Sequence, residues 1–268
     1  MILDFQTIIL FLILGTFVGF MSGLLGIGGG GFLVPAFVAI FSFNGISNDN
    51  LMHLALGTSM MSIVITSYVS FREHHKRGGV IWDIFKKMAI GVILGTFFAT
   101  FISSNVSSYF LAIFFSILMF IISIRMILDI KPKVEYKPYT SKSLFSAGMI
   151  IGAISAMMSV GGGAFTVPFL VSRGIEMKKA IGTSAAIGFP IAIFGTIGFM
   201  INGWESTSLS NYQIGNIYLP AVVFVSIGTI LTVPFGVKMA HTIPTLMLKK
   251  IFAFLLIALS IKMVLKFL

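Results

Sequence analysis

The chain is 268 residues long, 57% hydrophobic and only 10% charged, with a formal net charge of +10. Long apolar runs between short polar loops put it outside the range of a soluble globular domain, so it reads as an all-α polytopic membrane protein. Cysteine is absent, which removes disulfides, thiol chemistry and cysteine metal sites.

In chain order, the apolar runs of the first half are Phe5 to Phe43, Leu51 to Phe71, Ala89 to Ile102 and Tyr109 to Leu128. Those of the second half are Leu144 to Val171, Ala180 to Ile201, Ile217 to Val237 and Ile251 to Leu268. These are eight hydropathy segments, of which two exceed the roughly 20 residues of a single crossing; splitting raises the expectation to as many as ten helices. The N-terminal MILDFQTIIL has no basic region and no A-x-A site, so it is expected to stay as part of the first span.

Both long runs hold a glycine break. Gly15 to Pro35 reads GTFVGFMSGLLGIGGGGFLVP, and Gly148 to Pro168, 133 positions on, reads GMIIGAISAMMSVGGGAFTVP. Gly15, Gly19, Ser22, Gly28, Gly29, Gly30, Phe32, Val34 and Pro35 recur as Gly148, Gly152, Ser155, Gly161, Gly162, Gly163, Phe165, Val167 and Pro168. The chain is therefore read as one membrane domain of two repeats, residues 1–135 and 136–268, divided in the polar segment Asp129 to Lys142.

Sixteen of the 18 Lys and Arg residues fall in four clusters: Arg72 to Lys87, Arg125 to Lys142, Arg173 to Lys179, and Lys238 to Lys250. The loops around Asn44 to Asn50, Ser103 to Ser108 and Asn202 to Asn216 carry no base, so the clusters mark the cytoplasmic side of a cytoplasmic membrane, and no nucleic-acid partner is expected. Leu144 to Val171 begins beside one cluster and ends beside another, so it must return to the side it left. A hairpin turning at Gly161 to Gly163 does this, with its counterpart at Gly28 to Gly31, and leaves short arms that dip to mid-membrane. Leu51 to Phe71 runs toward a basic loop and Ala180 to Ile201 away from one, which makes the repeats inverted, with both termini outside.

The run Gly26, Gly28, Gly31 satisfies G-x-G-x-x-G, but a helix-length apolar span precedes it and Ser159 and Ala164 replace the outer glycines in the second copy, so the dinucleotide reading fails. Glycines within a membrane leave backbone N–H groups bare, which is tolerated only beside protein or a water-filled cavity. At a helix N-terminus such groups attract an anion. Gly28, Gly29, Gly30, Gly161, Gly162 and Gly163 are thus candidate substrate-binding residues, the competing reading being close helix packing, which suffices for Gly15, Gly19, Gly23, Gly91 and Gly95. A second doubled motif, Ala55-Leu-Gly-Thr-Ser59 and Ala180-Ile-Gly-Thr-Ser184, adds Thr58, Ser59, Thr183 and Ser184, either as donors to an oxyanion or as hydroxyls bonded to carbonyls one turn earlier. Ser22 and Ser155, two turns before the tips, either line the same cavity or pack. The histidines His53, His74, His75 and His241 are expected to be solvated at helix ends, with no metal site and no cofactor.

With GIGGGGFLVP and SVGGGAFTVP each followed by A-x-G-T-S, the chain resembles the TauE/SafE sulfite exporter family over nearly its whole length. The resemblance implies a permease for small sulfur-containing anions such as sulfite and organosulfonates. The expected function is a secondary transporter holding an anion at paired helix N-termini near the midplane, in a lipid bilayer and compatible with oligomers; a passive anion channel is the alternative, and an enzyme is not expected.

Overall fold

The computed structural model describes residues 4–25, 29–129, 139–242 and 246–267. The boundary between residues 135 and 136, and Gly28 among the site candidates, lie outside the described residues. Among the described residues there are ten helices: α1 Phe5–Leu25, α2 Gly30–Phe43, α3 Asn48–Lys76, α4 Trp82–Ser104, α5 Ser108–Ile127, α6 Ser141–Met158, α7 Gly163–Ser172, α8 Met177–Asn202, α9 Leu219–Thr242 and α10 Leu246–Phe267. Seven of them, α1, α3, α4, α5, α6, α8 and α9, are long and apolar enough to cross a membrane. At 14 and 10 residues, α2 and α7 span about 21 and 15 Å at 1.5 Å per residue, too short to cross one. Large apolar side chains point away from the bundle, among them Phe98, Phe120, Leu231 and Phe235. On a membrane protein this is the lipid-facing surface.

Both long apolar runs are broken where the glycines stand, and each break is a hairpin. In the first, the Phe17 and Phe32 rings lie 5.1 Å apart and those of Phe11 and Phe37 6.0 Å apart, so α2 runs back along α1. In the second, Arg173 at the end of α7 donates through Nη2 to Ser143 Oγ at 3.5 Å, bringing the chain back to the level at which α6 began.

Helices also exceed their apolar runs. The third run was expected to begin at Ala89, but α4 begins at Trp82, because Asp83, Lys86 and Lys87 continue the helix outside the apolar stretch and Lys87 pairs with Asp83 one turn away. The polar segment after α8 folds into two 3-10 turns, Trp204–Ser206 and Leu209–Asn211, and an antiparallel ribbon of β1 Gln213–Ile214 and β2 Ile217–Tyr218.

The two halves interlock. The main packing partner of α1 is α9 and that of α6 is α4, while α3 packs on α8 and α5 on α10. The first two pairings are glycine seams. A β-carbon on Gly15 would strike the Val225 carbonyl and one on Gly236 the Phe20 carbonyl; in the other pair Gly91 and Gly95 meet the Phe145 and Met149 carbonyls. Small residues let the backbones touch, the usual basis of helix association in lipid, where no hydrophobic force draws helices together. The core is filled from the first hairpin by Phe11, Phe37 and Phe41; Phe11 and Phe41 pack on Tyr218 of the ribbon, and Phe37 stacks on Phe41.

Candidate functional site

The two half-helices start alike. The cap of α2 is Gly29, at φ 82° and ψ −10°, and the cap of α7 is Gly162, at φ 76° and ψ −19°; neither helix has a side-chain cap. Both conformations are left-handed, the region in which a β-carbon is strained, which is why glycine stands there. The Gly29 carbonyl accepts the N–H of Phe32 and Leu33, and the Gly162 carbonyl that of Phe165 and Thr166. The N–H groups of Gly30, Gly31, Gly163 and Ala164 come earlier than any intrahelical acceptor allows. Among the described residues these four groups have no acceptor, so each tip presents two donors and the positive end of a helix dipole.

The breaks meet one another. A β-carbon on Gly30 would collide with the Ser159 carbonyl, and one on Gly188 of α8 with the Gly161 carbonyl. Ser159 holds the position of Gly26 in the first copy and adopts φ 47°, rare for a residue with a side chain. Its hydroxyl donates to the Leu56 carbonyl at 2.8 Å, and its own carbonyl accepts Ser59 Oγ at 3.4 Å. The second break is thereby fastened to α3 of the first half.

The Gly-Thr-Ser motifs make reciprocal clasps. Thr58 Oγ1 accepts the Tyr218 N–H at 3.0 Å, and Thr183 Oγ1 accepts the Ile81 N–H at 2.9 Å. Gly57 and Gly182 admit the Asn216 and Gly79 carbonyls where a β-carbon would not fit. Thus α3 grips the segment before α9, and α8 grips the segment before α4. Each threonine oxygen is engaged as an acceptor, and its proton is left to donate. Ser59, Thr58, Thr183 and Ser184 are all fully buried.

Of the remaining predicted hydroxyls, that of Ser155 lies beside the second tip, its Oγ 3.9 Å from where a β-carbon on Gly162 would stand. Ser22 and Ser155 are buried, and their Oγ atoms have no hydrogen-bond partner among the described residues. Sequence reasoning passed over Thr166, whose Oγ1 is likewise buried and unpartnered. The available signal was the motif alignment, which sets Thr166 against Leu33, a hydroxyl against an aliphatic side chain one turn from the tip.

One histidine departs from expectation. His74 is 1% exposed rather than solvated, and its Nε2 donates to the Gly23 carbonyl at 3.3 Å, just ahead of the first break. Its own carbonyl accepts the Gly79 N–H, as the Phe199 carbonyl accepts that of Asn216, so Phe199 occupies the matching place in the second half. His53 is half-buried and bonds the Ser103 carbonyl at 3.1 Å.

The two uncapped tips lie inside a bundle of span-length apolar helices. The family model described as sulfite exporter TauE/SafE matches residues 11–263. A probable membrane transporter protein of Haemophilus influenzae is 37% identical over 263 residues, 98% of this chain and 100% of that one. One from Methanocaldococcus jannaschii is 25% identical across 90% of each chain, and one from Bacillus subtilis is 24% identical across 74% of this chain and 80% of its own. No solved structure matches. This chain belongs to the sulfite exporter TauE/SafE family of membrane transporters.

Proposed function

We propose that the protein is a secondary transporter of a small sulfur-containing anion, sulfite or an organosulfonate, across the cytoplasmic membrane. The observation that carries this reading is the matched pair of left-handed, uncapped glycine tips at Gly29 and Gly162. Each offers two N–H donors and a helix dipole to negative charge, and in low dielectric those donors are worth more than in water. The first and second halves are inverted repeats, so the tips approach from opposite sides and the anion sits between them near the midplane. Basic loops containing Arg72 to Lys87 and Arg173 to Lys179 face the cytoplasm.

The interlocked pairing supports alternating access by rocking of one set of helices against another. The glycine seams of α1 on α9 and α4 on α6 supply smooth sliding surfaces, and the threonine clasps link each Gly-Thr-Ser motif to the opposite half. The test is flux of sulfite and methanesulfonate into proteoliposomes. A carrier gives uptake that saturates with concentration and accumulates against a gradient when coupled; uptake linear in concentration and never exceeding equilibrium would show a channel instead.

A further inference from the structure

The two tips differ in what surrounds them. A β-carbon placed on Gly162 would lie 3.5 Å from Thr166 Oγ1 and 3.9 Å from Ser155 Oγ, both fully buried and both without a partner among the described residues. The same construction on Gly29 has atoms of Val18 as its three nearest, two in the side chain and the carbonyl oxygen, and Leu33 replaces Thr166. Buried hydroxyls without partners are costly, and two converging on one point beside bare N–H groups call for a ligand that satisfies all of them.

Resting on the paired-tip reading above, we infer that Thr166 is a substrate-binding residue and that the second-half tip alone is the primary oxyanion site. There the N–H groups of Gly163 and Ala164 and the hydroxyls of Ser155 and Thr166 surround a sulfite or sulfonate head. Four donors match the three oxygens of such a head, one oxygen taking two bonds. The first tip, with Val18 nearest to the Gly29 β-carbon position and Leu33 in place of Thr166, offers its N–H groups to one sulfonate oxygen and its apolar side chains to the carbon chain, so a sulfonate carrying a short carbon chain fits the pair better than an ion with oxygens all round. In the present conformation Ile191 Cδ1 lies 2.6 Å from the Gly162 β-carbon position and fills the space between the hydroxyls. Ile191 ends in a flexible ethyl group, and a change of rotamer vacates that space.

The experiment is thermal unfolding of the purified full-length protein in detergent, with sulfite, methanesulfonate and ethanesulfonate as probes. Thr166→Val keeps the shape and removes an unsatisfied hydroxyl, so the ligand-free Tm stays equal or rises. Its affinity for the probes should fall roughly tenfold or more, the loss of one donor to a charged group, while Thr166→Ser keeps wild-type affinity. Ser22→Ala, at the other tip, should change affinity less than about threefold, and ethanesulfonate should bind more tightly than sulfite. A lower ligand-free Tm with unchanged affinity in Thr166→Val would make Thr166 a packing residue and overturn the inference. Equal losses in Ser22→Ala and Thr166→Val would overturn the asymmetry while leaving the paired-tip reading intact. A wild-type protein stabilised by no oxyanion would overturn both.

Discussion

Thr183 Oγ1 accepts the backbone N–H of Ile81 at 2.9 Å, across 102 positions of chain and between the two halves of the protein. Ile81 caps α4, and Thr58 repeats the arrangement with Tyr218, which immediately precedes α9. These bonds fix where two of the helices in the glycine seams begin, so the Gly-Thr-Ser motif sets the relation between halves as well as lying near the breaks.

Removing either acceptor leaves a backbone N–H without its partner. Thr183→Val should lower stability by roughly 1–3 kcal/mol, the cost of an unsatisfied buried donor, and Thr58→Val should do so by a similar amount. Thr→Ser at either position should recover most of the loss. Thermal unfolding in detergent checks this; two valine variants with wild-type Tm would show that the clasps contribute nothing to stability.

The neighbouring glycines predict a sterically distinct failure. Gly182→Ala places a β-carbon against the Gly79 carbonyl, and Gly57→Ala places one against that of Asn216. Both contacts are backbone, so the helices must separate, at a cost of about 1–3 kcal/mol. The measured quantity is again Tm, and the alanine variants should fall below wild type at both sites; a neutral Gly182→Ala would mean that the segment before α4 moves freely.

Ser141 and Met177 are exposed, at the start of α6 and of α8, with the short α7 between them. Because no cysteine is native, single substitutions can be labelled cleanly. Cysteines at both positions should react with a membrane-impermeant thiol reagent from the cytoplasmic side only. Labelling from opposite faces would turn α7 into a crossing helix and remove the inverted repeat.

Much of this architecture could be read from the chain because the doubled features are local. A glycine run ending in Val-Pro, at one spacing in two copies, dictates a helix break wherever it lies, and both breaks fall between a helix ending at Leu25 or Met158 and one starting at Gly30 or Gly163. The partners of the hydroxyls could not be read. Nothing local marks the Thr58 oxygen as the acceptor of a hydrogen bond from a residue 160 positions away. His74 looked solvated because it sits among Arg72, Glu73, His75 and Lys76, whereas its ring turns inward to the α1 carbonyl of Gly23. Helix ends were misplaced for a related reason: hydropathy marks the apolar stretch, and α4 continues seven residues beyond it through charged turns.

The claim that an anion is held at the glycine tips is tested most directly by sulfite and methanesulfonate flux into proteoliposomes containing Gly162→Val. At φ 76° a β-branched side chain is strained, and its β-carbon would meet Ile191 and crowd the space beside the N–H groups of Gly163 and Ala164. Gly162→Val protein that still inserts and purifies should show flux reduced to the level of empty liposomes. Wild-type flux from that variant would contradict the account and leave the glycines a role in packing alone.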